Sequence, residues 1–431
     1  KNKNTYNILI LVGINLKTKK VKKIIILLVA ISFSYIAKSQ NTEISGFVRN
    51  YTGVLLETGD FSILQNTLDL NFEKTGGKAA FKANPMLYHY DNNKLDLRLR
   101  ELYMDLYFDN FDLRIGQQQI VWGKADGAFI TDIVSPLNLT EFLLPDFDEI
   151  RTGVLATKLD YYIGNHTFEV IWMPLFTPTE IPQAGSIWHV QPEFPIVPTF
   201  DWSKSSMTPN LENSELFVKY SAMTSKIDFE LMGGYTWDDN PSMHIEKIID
   251  MSTGKPVLTG LNITPEHHRL LIGGGSFSSE IKGVVLRGEA AYYNGKYFQT
   301  EDPFANDALV QKDYIHYLTG VDFSIKGVKF SSQFIQEVVL DYDEKMQKTE
   351  IENTMTFLAR YDLLRETLHL ELFSYIGLTN QDALIRPKIT YDFDDGFSIL
   401  LGSNIFVGDD KGRFGQYADN SMIYTKIKYS F

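Results

Sequence analysis

Ile423-Tyr424-Thr425-Lys426-Ile427-Lys428-Tyr429-Ser430-Phe431 reads as a strand with two unlike faces. Side chains alternate across an extended chain, so Ile423, Ile427, Tyr429 and Phe431 share one face and Tyr424, Lys426, Lys428 and Ser430 the other. The same period of two recurs upstream. Phe111, Leu113 and Ile115 alternate with Asp112, Arg114 and Gly116; Ile385, Ile389, Tyr391 and Phe393 alternate with Arg386, Lys388, Thr390 and Asp392. Segments of about ten residues with this alternation are what lipid-exposed barrel strands require, although a soluble antiparallel sheet alternates too.

The connections separate the two. Tight turns fall at Thr75-Gly76-Gly77, Asp109-Asn110, Gly164-Asn165, Thr224-Ser225, Lys282-Gly283, Lys326-Gly327, Arg365-Glu366 and Asp394-Asp395-Gly396, most with the Gly, Asn or Asp chemistry of hairpins. Longer loops lie between them, at 52–60, 91–93, 123–151, 175–213, 238–266, 294–313, 340–352, 376–381 and 407–418. Eight turns and nine loops make 17 connections, hence 18 strands, with 16 as the second count. The predicted fold is therefore an all-β, antiparallel up-and-down transmembrane barrel over 40–431, with long loops at one rim. A soluble sandwich or propeller has no reason to sort its connections in this way. One break in parity, between Leu95, Leu97, Leu99 and Leu102, Met104, Leu106, predicts a β-bulge near Arg100-Glu101.

Ahead of the first strand, Lys19-Lys20-Val21-Lys22-Lys23 precedes an apolar run from Ile24 to Phe33, with Ala37 and Ser39 at the −3 and −1 positions of a cleavage site. This is the pattern of an export signal over 1–39 and is too short for a spanning helix. Residues 1–20 read as an upstream stretch ahead of a start at Val21. The formal net charge is −13, but residues 1–39 hold eight Lys and no acid, which leaves 33 basic against 54 acidic residues beyond them, near −21. Such an excess opposes nucleic-acid binding, which needs phosphate neutralisation. The absence of Cys excludes disulfides, thiolate metal sites and thiol nucleophiles.

Parity assigns the inward face to Arg98, Arg100, Arg114, Gln118, Asp228, Glu230, Arg287, Glu289, Lys329, Gln333, Arg360, Glu371, Arg386 and Lys388. So many charges are costly in a dry core and cheap in a wet lumen, where facing acids and bases set up a field. The stretch from Trp122 through Lys124, Asp126, Asp132, Glu141, Asp146, Asp148 and Glu149 to Arg151 is too apolar to dangle in water. It is expected to fold inward and form a constriction lined by its acids, with a cap packed on the rim as the alternative.

Leu113-Arg114-Ile115-Gly116-Gln117-Gln118-Gln119-Ile120-Val121-Trp122-Gly123, followed by Asp132-Ile133-Val134-Ser135-Pro136-Leu137-Asn138 and Pro145-Asp146-Phe147-Asp148-Glu149-Ile150-Arg151, resembles a proteobacterial outer-membrane barrel family of unknown function. That family shows a G-x-Q-x-x-x-W-G strand end, a D-x-x-N/S-P loop and an acidic segment ending in Arg; Ser135 stands here where Asn is frequent. Porin-like carbohydrate exporters of the alginate type are similar in general plan. The resemblance implies a porin-like barrel and names no substrate. The aromatic C-terminal strand, ending at Phe431, resembles the signal read by the outer-membrane barrel-assembly machinery.

These readings converge on a passive channel for small polar or charged solutes, embedded among outer-membrane lipid and lipopolysaccharide, with its oligomeric state open. Export of a hydrophobic or polymeric substrate and a non-conducting structural barrel are the rivals. For the former, loop 175–213 offers a lid bearing Trp188, Phe194, Phe200 and Trp202. No enzyme is expected, since the eight His are scattered and no His-Ser-Asn constellation appears. No cofactor or metal is expected: adjacent His267 and His268 would point to opposite faces of a strand and make poor joint ligands.

Overall fold

The computed structural model describes residues 42–431 apart from 91–93, 191–193, 253 and 395, so the expected export signal lies outside the described residues. In chain order the first strands are β1 (Thr42–Leu55), β2 (Phe61–Gly76), β3 (Ala79–Tyr90), β4 (Leu95–Tyr107), β5 (Phe111–Gln118), β6 (Val154–Ile163) and β7 (His166–Met173). Then follow β8 (Thr199–Phe200), β9 (Glu215–Met223), β10 (Asp228–Trp237), β11 (Ser242–Asp250), β12 (Val257–Glu266), β13 (Arg269–Ile281) and β14 (Val284–Gln299). The last are β15 (Leu309–Ile325), β16 (Val328–Val339), β17 (Ile351–Leu363), β18 (Leu368–Gly377), β19 (Asp382–Asp394), β20 (Phe397–Val407) and β21 (Met422–Ser430). Eighteen of them form one antiparallel sheet in which each strand pairs with its neighbours in sequence. Pairing of β1 with β21, from Phe47 opposite Ser430 to Leu55 opposite Met422, closes the sheet into a barrel. The remaining three, β8, β11 and β12, form a small separate sheet within the long loops 174–214 and 238–268.

Among the described residues the short and long connections alternate as the sequence predicts, but β1 runs to Leu55 and β14 and β15 extend into the loop expected at 294–313, while β11 and β12 occupy much of the loop expected at 238–266. Turn chemistry explains the tightest. At Lys282-Gly283 and Lys326-Gly327 both central residues have positive φ (54° and 80°, 50° and 84°), the backbone that matches the twist of two antiparallel strands. The predicted bulge is present: Asn84 of β3 faces Glu101 while Pro85 faces Leu99, leaving Arg100 without an opposite number. Both charges then point inward, Arg100 donating to Asn84 Oδ1 at 2.7 Å and Glu101 pairing with Lys82 at 3.1 Å. Leu97 and Leu102, on opposite parities, both remain exposed on the outside.

The exterior is apolar on every side. Val48, Leu231, Leu271, Leu286, Leu372, Ile389, Leu401 and Ile427 are exposed along strands from β1 to β21. Aromatic pairs ring the short-turn rim, among them Phe108 with Phe111 at 4.3 Å and Phe323 with Phe330 at 5.3 Å. A closed ladder leaves no edge, and a belt of exposed apolar side chains edged by aromatics is stable against lipid and a liability in water. The strands therefore span a membrane.

Candidate functional site: the loop inside the barrel

The connection 119–153 between β5 and β6 enters the barrel and touches its wall around the whole circumference. Gly116 launches it: its φ is 133°, and a Cβ there would stand 2.2 Å from the Leu102 carbonyl oxygen. Inside, the loop clips itself together. Asp132 accepts the Trp122 N–H at 3.0 Å and pairs with Arg151, so the loop's first and last turns are joined through one carboxylate. Both side chains of the pair are almost wholly buried, at 1% and 3% exposure. Ser135 Oγ accepts the Ile120 N–H at 2.8 Å, and the Pro136 carbonyl accepts that of Thr152 at 2.8 Å. Arg151 also donates to the Phe147 carbonyl at 2.9 Å and lies 4.2 Å from the centre of the Phe147 ring. The residues that carry the family resemblance are the residues that hold this shape.

From the clip the loop reaches outward. Trp122 donates its indole N–H to Glu169 of β7, and Lys124 lies 3.5 Å from Glu230 of β10. Glu289 of β14 accepts the Lys124 N–H at 2.5 Å and both the N–H and hydroxyl of Thr131, while Arg287 pairs with Asp126 at 2.5 Å. Gln333 of β16 accepts the Asp126 N–H at 3.1 Å, and the Tyr375 hydroxyl of β18 donates to the Gly127 carbonyl at 2.7 Å. Arg386 of β19 donates to the Leu143 and Leu144 carbonyls at 2.9 and 2.8 Å. Arg49 of β1 grips Glu149 through two nitrogens at 2.7 and 2.9 Å, and Lys426 of β21 holds Asp146 at 2.5 Å. Although burial pushes the Asp146 carboxyl up, Lys426 and Lys388 hold it well below the usual carboxylate range. Burial raises Glu141, to about 6, against the pull of Lys426.

Three apolar seams complete the docking. Ile120, Trp122 and Val134 pack on Ile171, Phe217 and Met232; Ala125, Ala128 and Ile130 pack on Leu270, Ile272 and Leu318; Leu143, Leu144 and Ile150 pack on Tyr375, Leu384 and Tyr424. This corrects the expectation of a uniformly hydrophilic inner face. Where the loop covers the wall, inward positions are apolar because they never meet water.

The inward residues named from parity accordingly divide. Glu289 and Arg386 are buried beneath the loop and serve as its anchors, and Gln118 is buried with its amide donating to the Ala156 carbonyl of β6, so none of the three faces an open lumen. Arg287 and Glu230 anchor it too. Arg360, Glu371 and Lys388 form a ladder that, among the described residues, makes no hydrogen bond to the loop, with Glu371 2.6 Å from Arg360 and 3.2 Å from Lys388. Arg114 pairs with Asp105 at 2.6 Å, and Arg98 reaches Asp96 and Glu180 at 2.9 and 3.2 Å. Within the loop, Asp132 and Arg151 are a buried internal pair that lines no constriction in the expected sense, since each neutralises the other. Asp148 is exposed. Glu141, Asp146 and Glu149 do face a narrow cavity, shared with Arg49, Arg98 and Lys426.

Arg49, Lys426, Glu169 and Tyr375 were not among the sequence candidates. Strand parity was the available signal, and for Lys426 it was already drawn in the final strand. The longer loop 174–214 behaves only in part as a lid: Trp188 is buried against Phe406 and Tyr417, whereas Phe200 and Trp202 stack on each other, exposed, beside the small sheet. Two larger cavities flank loop 119–153. One of about 250 Å³ lies toward the long loops, and one of about 260 Å³ lies toward the short turns, lined by Lys124, Glu169, Lys219, Asp228 and Glu230 among others.

Residues 60–359 match the family described as "Protein of unknown function (DUF1302)". The chain belongs to that family. No curated protein matches this DUF1302 member by sequence. Its fold is that of outer-membrane porins. OccAB1 of Acinetobacter baumannii is similar with a TM-score of 0.53 at 9% identity, over 91% of this chain and 95% of that one. OccK2 (OpdF) of Pseudomonas aeruginosa, solved in complex with glucuronate, gives 0.52 at 10% identity over 90% and 97%. OccK8 (OprE) of the same organism gives 0.52 at 10% identity over 91% and 98%.

Proposed function

We propose that this DUF1302 protein is an outer-membrane channel through which small polar or charged solutes diffuse passively, without covalent chemistry. One observation carries the reading: a charged loop is fastened around the inside of a closed barrel, leaving solvent-sized space on both of its sides. A barrel built only as a scaffold has no use for a lumen so divided. Solutes would be sorted by size at loop 119–153 and by the field between its carboxylates and the bases Arg49, Arg98 and Lys426. The ladder Arg360–Glu371–Lys388, half-exposed at Arg360, would form a hydrated part of the wall. The partners in this reading are the lipid and lipopolysaccharide around the belt, the assembly machinery at Phe431, and the solute.

A polymer exporter on the alginate-type plan is the rival. It needs a continuous file for an extended chain, and a loop anchored to β1, β7, β10, β14, β16, β18, β19 and β21 argues for small solutes instead. Purified protein reconstituted in a planar bilayer under a salt gradient tests the proposal. Discrete conductance steps with a defined reversal potential are expected. A bilayer that stays silent, with the wild type and with loop 123–151 excised, would remove the channel reading.

A further inference from the structure

The cavity on the long-loop side holds three polar side chains that no protein group satisfies. It is walled by Trp237, Tyr293 and Tyr314 from strands β10, β14 and β15, and by Asp239, just beyond β10. Its other charges are already neutralised: Asp238 pairs with Lys296, and Asp132 with Arg151. The Asp239 carboxylate, the Tyr293 hydroxyl and the His316 ring, in contrast, have no hydrogen-bond partner among the described residues. The uncompensated charge of the cavity is therefore negative. Behind its wall Glu215 adds a second carboxylate, one oxygen taking the Thr236 hydroxyl and the Trp237 N–H while the other is buried without a partner. Burial, with Glu215 and Asp238 nearby, pushes the Asp239 carboxyl well above the usual range against the pull of Lys296, so the cavity by itself favours its protonated form and an arriving cation would draw out its ionised one.

We propose that this cavity binds a small organic cation, an ammonium or guanidinium solute, with its charge on Asp239 and its hydrogen-bonding groups on Tyr293 and His316. A bare metal ion fits less well: among the described residues no three His, Asp or Glu side chains stand close enough together to hold one. The volume of about 250 Å³ suits a molecule of several heavy atoms, and aromatic walls favour a cation with an organic body. Choice of cation as solute class rests on the channel reading for its passage, while binding itself does not.

A matched four-carbon series tests this on the full chain in detergent: putrescine, the neutral 1,4-butanediol and the anionic succinate, followed by calorimetry. Saturable putrescine binding is expected, absent for the other two. Asp239→Asn should weaken it by about tenfold or more, as loss of a charged hydrogen bond does. Tyr293→Phe, which removes one hydroxyl and leaves the ring, should weaken it less. Unaltered heat-modifiable gel migration checks that each variant remains a folded barrel. Putrescine bound equally by wild type and Asp239→Asn, bound by neither, or outcompeted by succinate would overturn the proposal. In the bilayer, putrescine added on the long-loop side should interrupt the current of the wild type and spare Asp239→Asn. Silent bilayers with intact putrescine binding would refute the channel and leave the site standing; conductance without binding would do the reverse.

Discussion

Replacing Arg151 by Met removes one half of the buried pair that joins the two ends of loop 119–153. Asp132 would keep the Trp122 N–H but lose its counter-charge, at a position where its side chain is 1% exposed. Stranding a buried charge costs about 3–5 kcal/mol, and each 1.4 kcal/mol is about tenfold in an equilibrium constant. Most of that cost falls on the docked loop, because the barrel ladder does not include either residue. The equilibrium between docked and released loop should shift toward release by a factor of roughly a hundred to a few thousand. Single-channel recording should show larger, noisier steps, and brief protease treatment should cut within 119–153 in a barrel that stays closed. The double variant Asp132→Asn/Arg151→Met removes both charges and should recover most of the wild-type behaviour. An Arg151→Met variant whose conductance and cleavage match the wild type, or a double variant no better than the single one, would refute the clip.

Three further outcomes follow from other parts of the structure. Because Glu141 titrates near 6, it is ionised at pH 7 and neutral at pH 5, leaving Arg49, Arg98 and Lys426 less compensated. The reversal potential should move toward anion preference as pH falls through 6, with Glu141→Gln lacking that step; since this carboxyl's folded value lies above its ordinary one, loop docking should also tighten over the same fall. Leu401→Arg places a cation on the lipid face of β20 and should cost about 2–4 kcal/mol of folding stability in liposome refolding, whereas Leu401→Val should cost far less. Removal of Phe431, whose N–H and carbonyl bond to Gly46 across the β1–β21 seam at 3.0 Å each, should lower the yield of assembled barrel in membranes, read by heat-modifiable migration.

The barrel was legible in the sequence because its determinants are local. Alternation fixes faces, and Gly, Asn and Asp fix turns, so strand count, connections and the Arg100 bulge all follow from windows of about ten residues. That loop 119–153 packs rather than dangles was legible from its apolar content, which left an inward fold and a cap on the rim both open. Its anchors were not: Lys426 holds Asp146 across 280 residues of chain, and Arg386 reaches Leu143 across 243. No local pattern encodes such a meeting. The parity argument assumed that inward means wet, and it failed where Ile171, Phe217, Leu318 and Leu384 face inward beneath the loop. Asp239 was passed over because it lies outside any alternating segment, and only the packing around it reveals a carboxylate left alone.

Arg100 has a consequence for how this chain tolerates change. Being the odd residue in β4, it keeps two runs of leucines in phase, one on either side. Substituting it alters one side chain, but deleting it would turn half the strand over, swinging Leu95, Leu97 and Leu99 into the interior and presenting Asp96 and Arg98 to hydrocarbon. Length at this point is therefore guarded more strictly than identity: the strand can bear a changed letter there, but not a missing one.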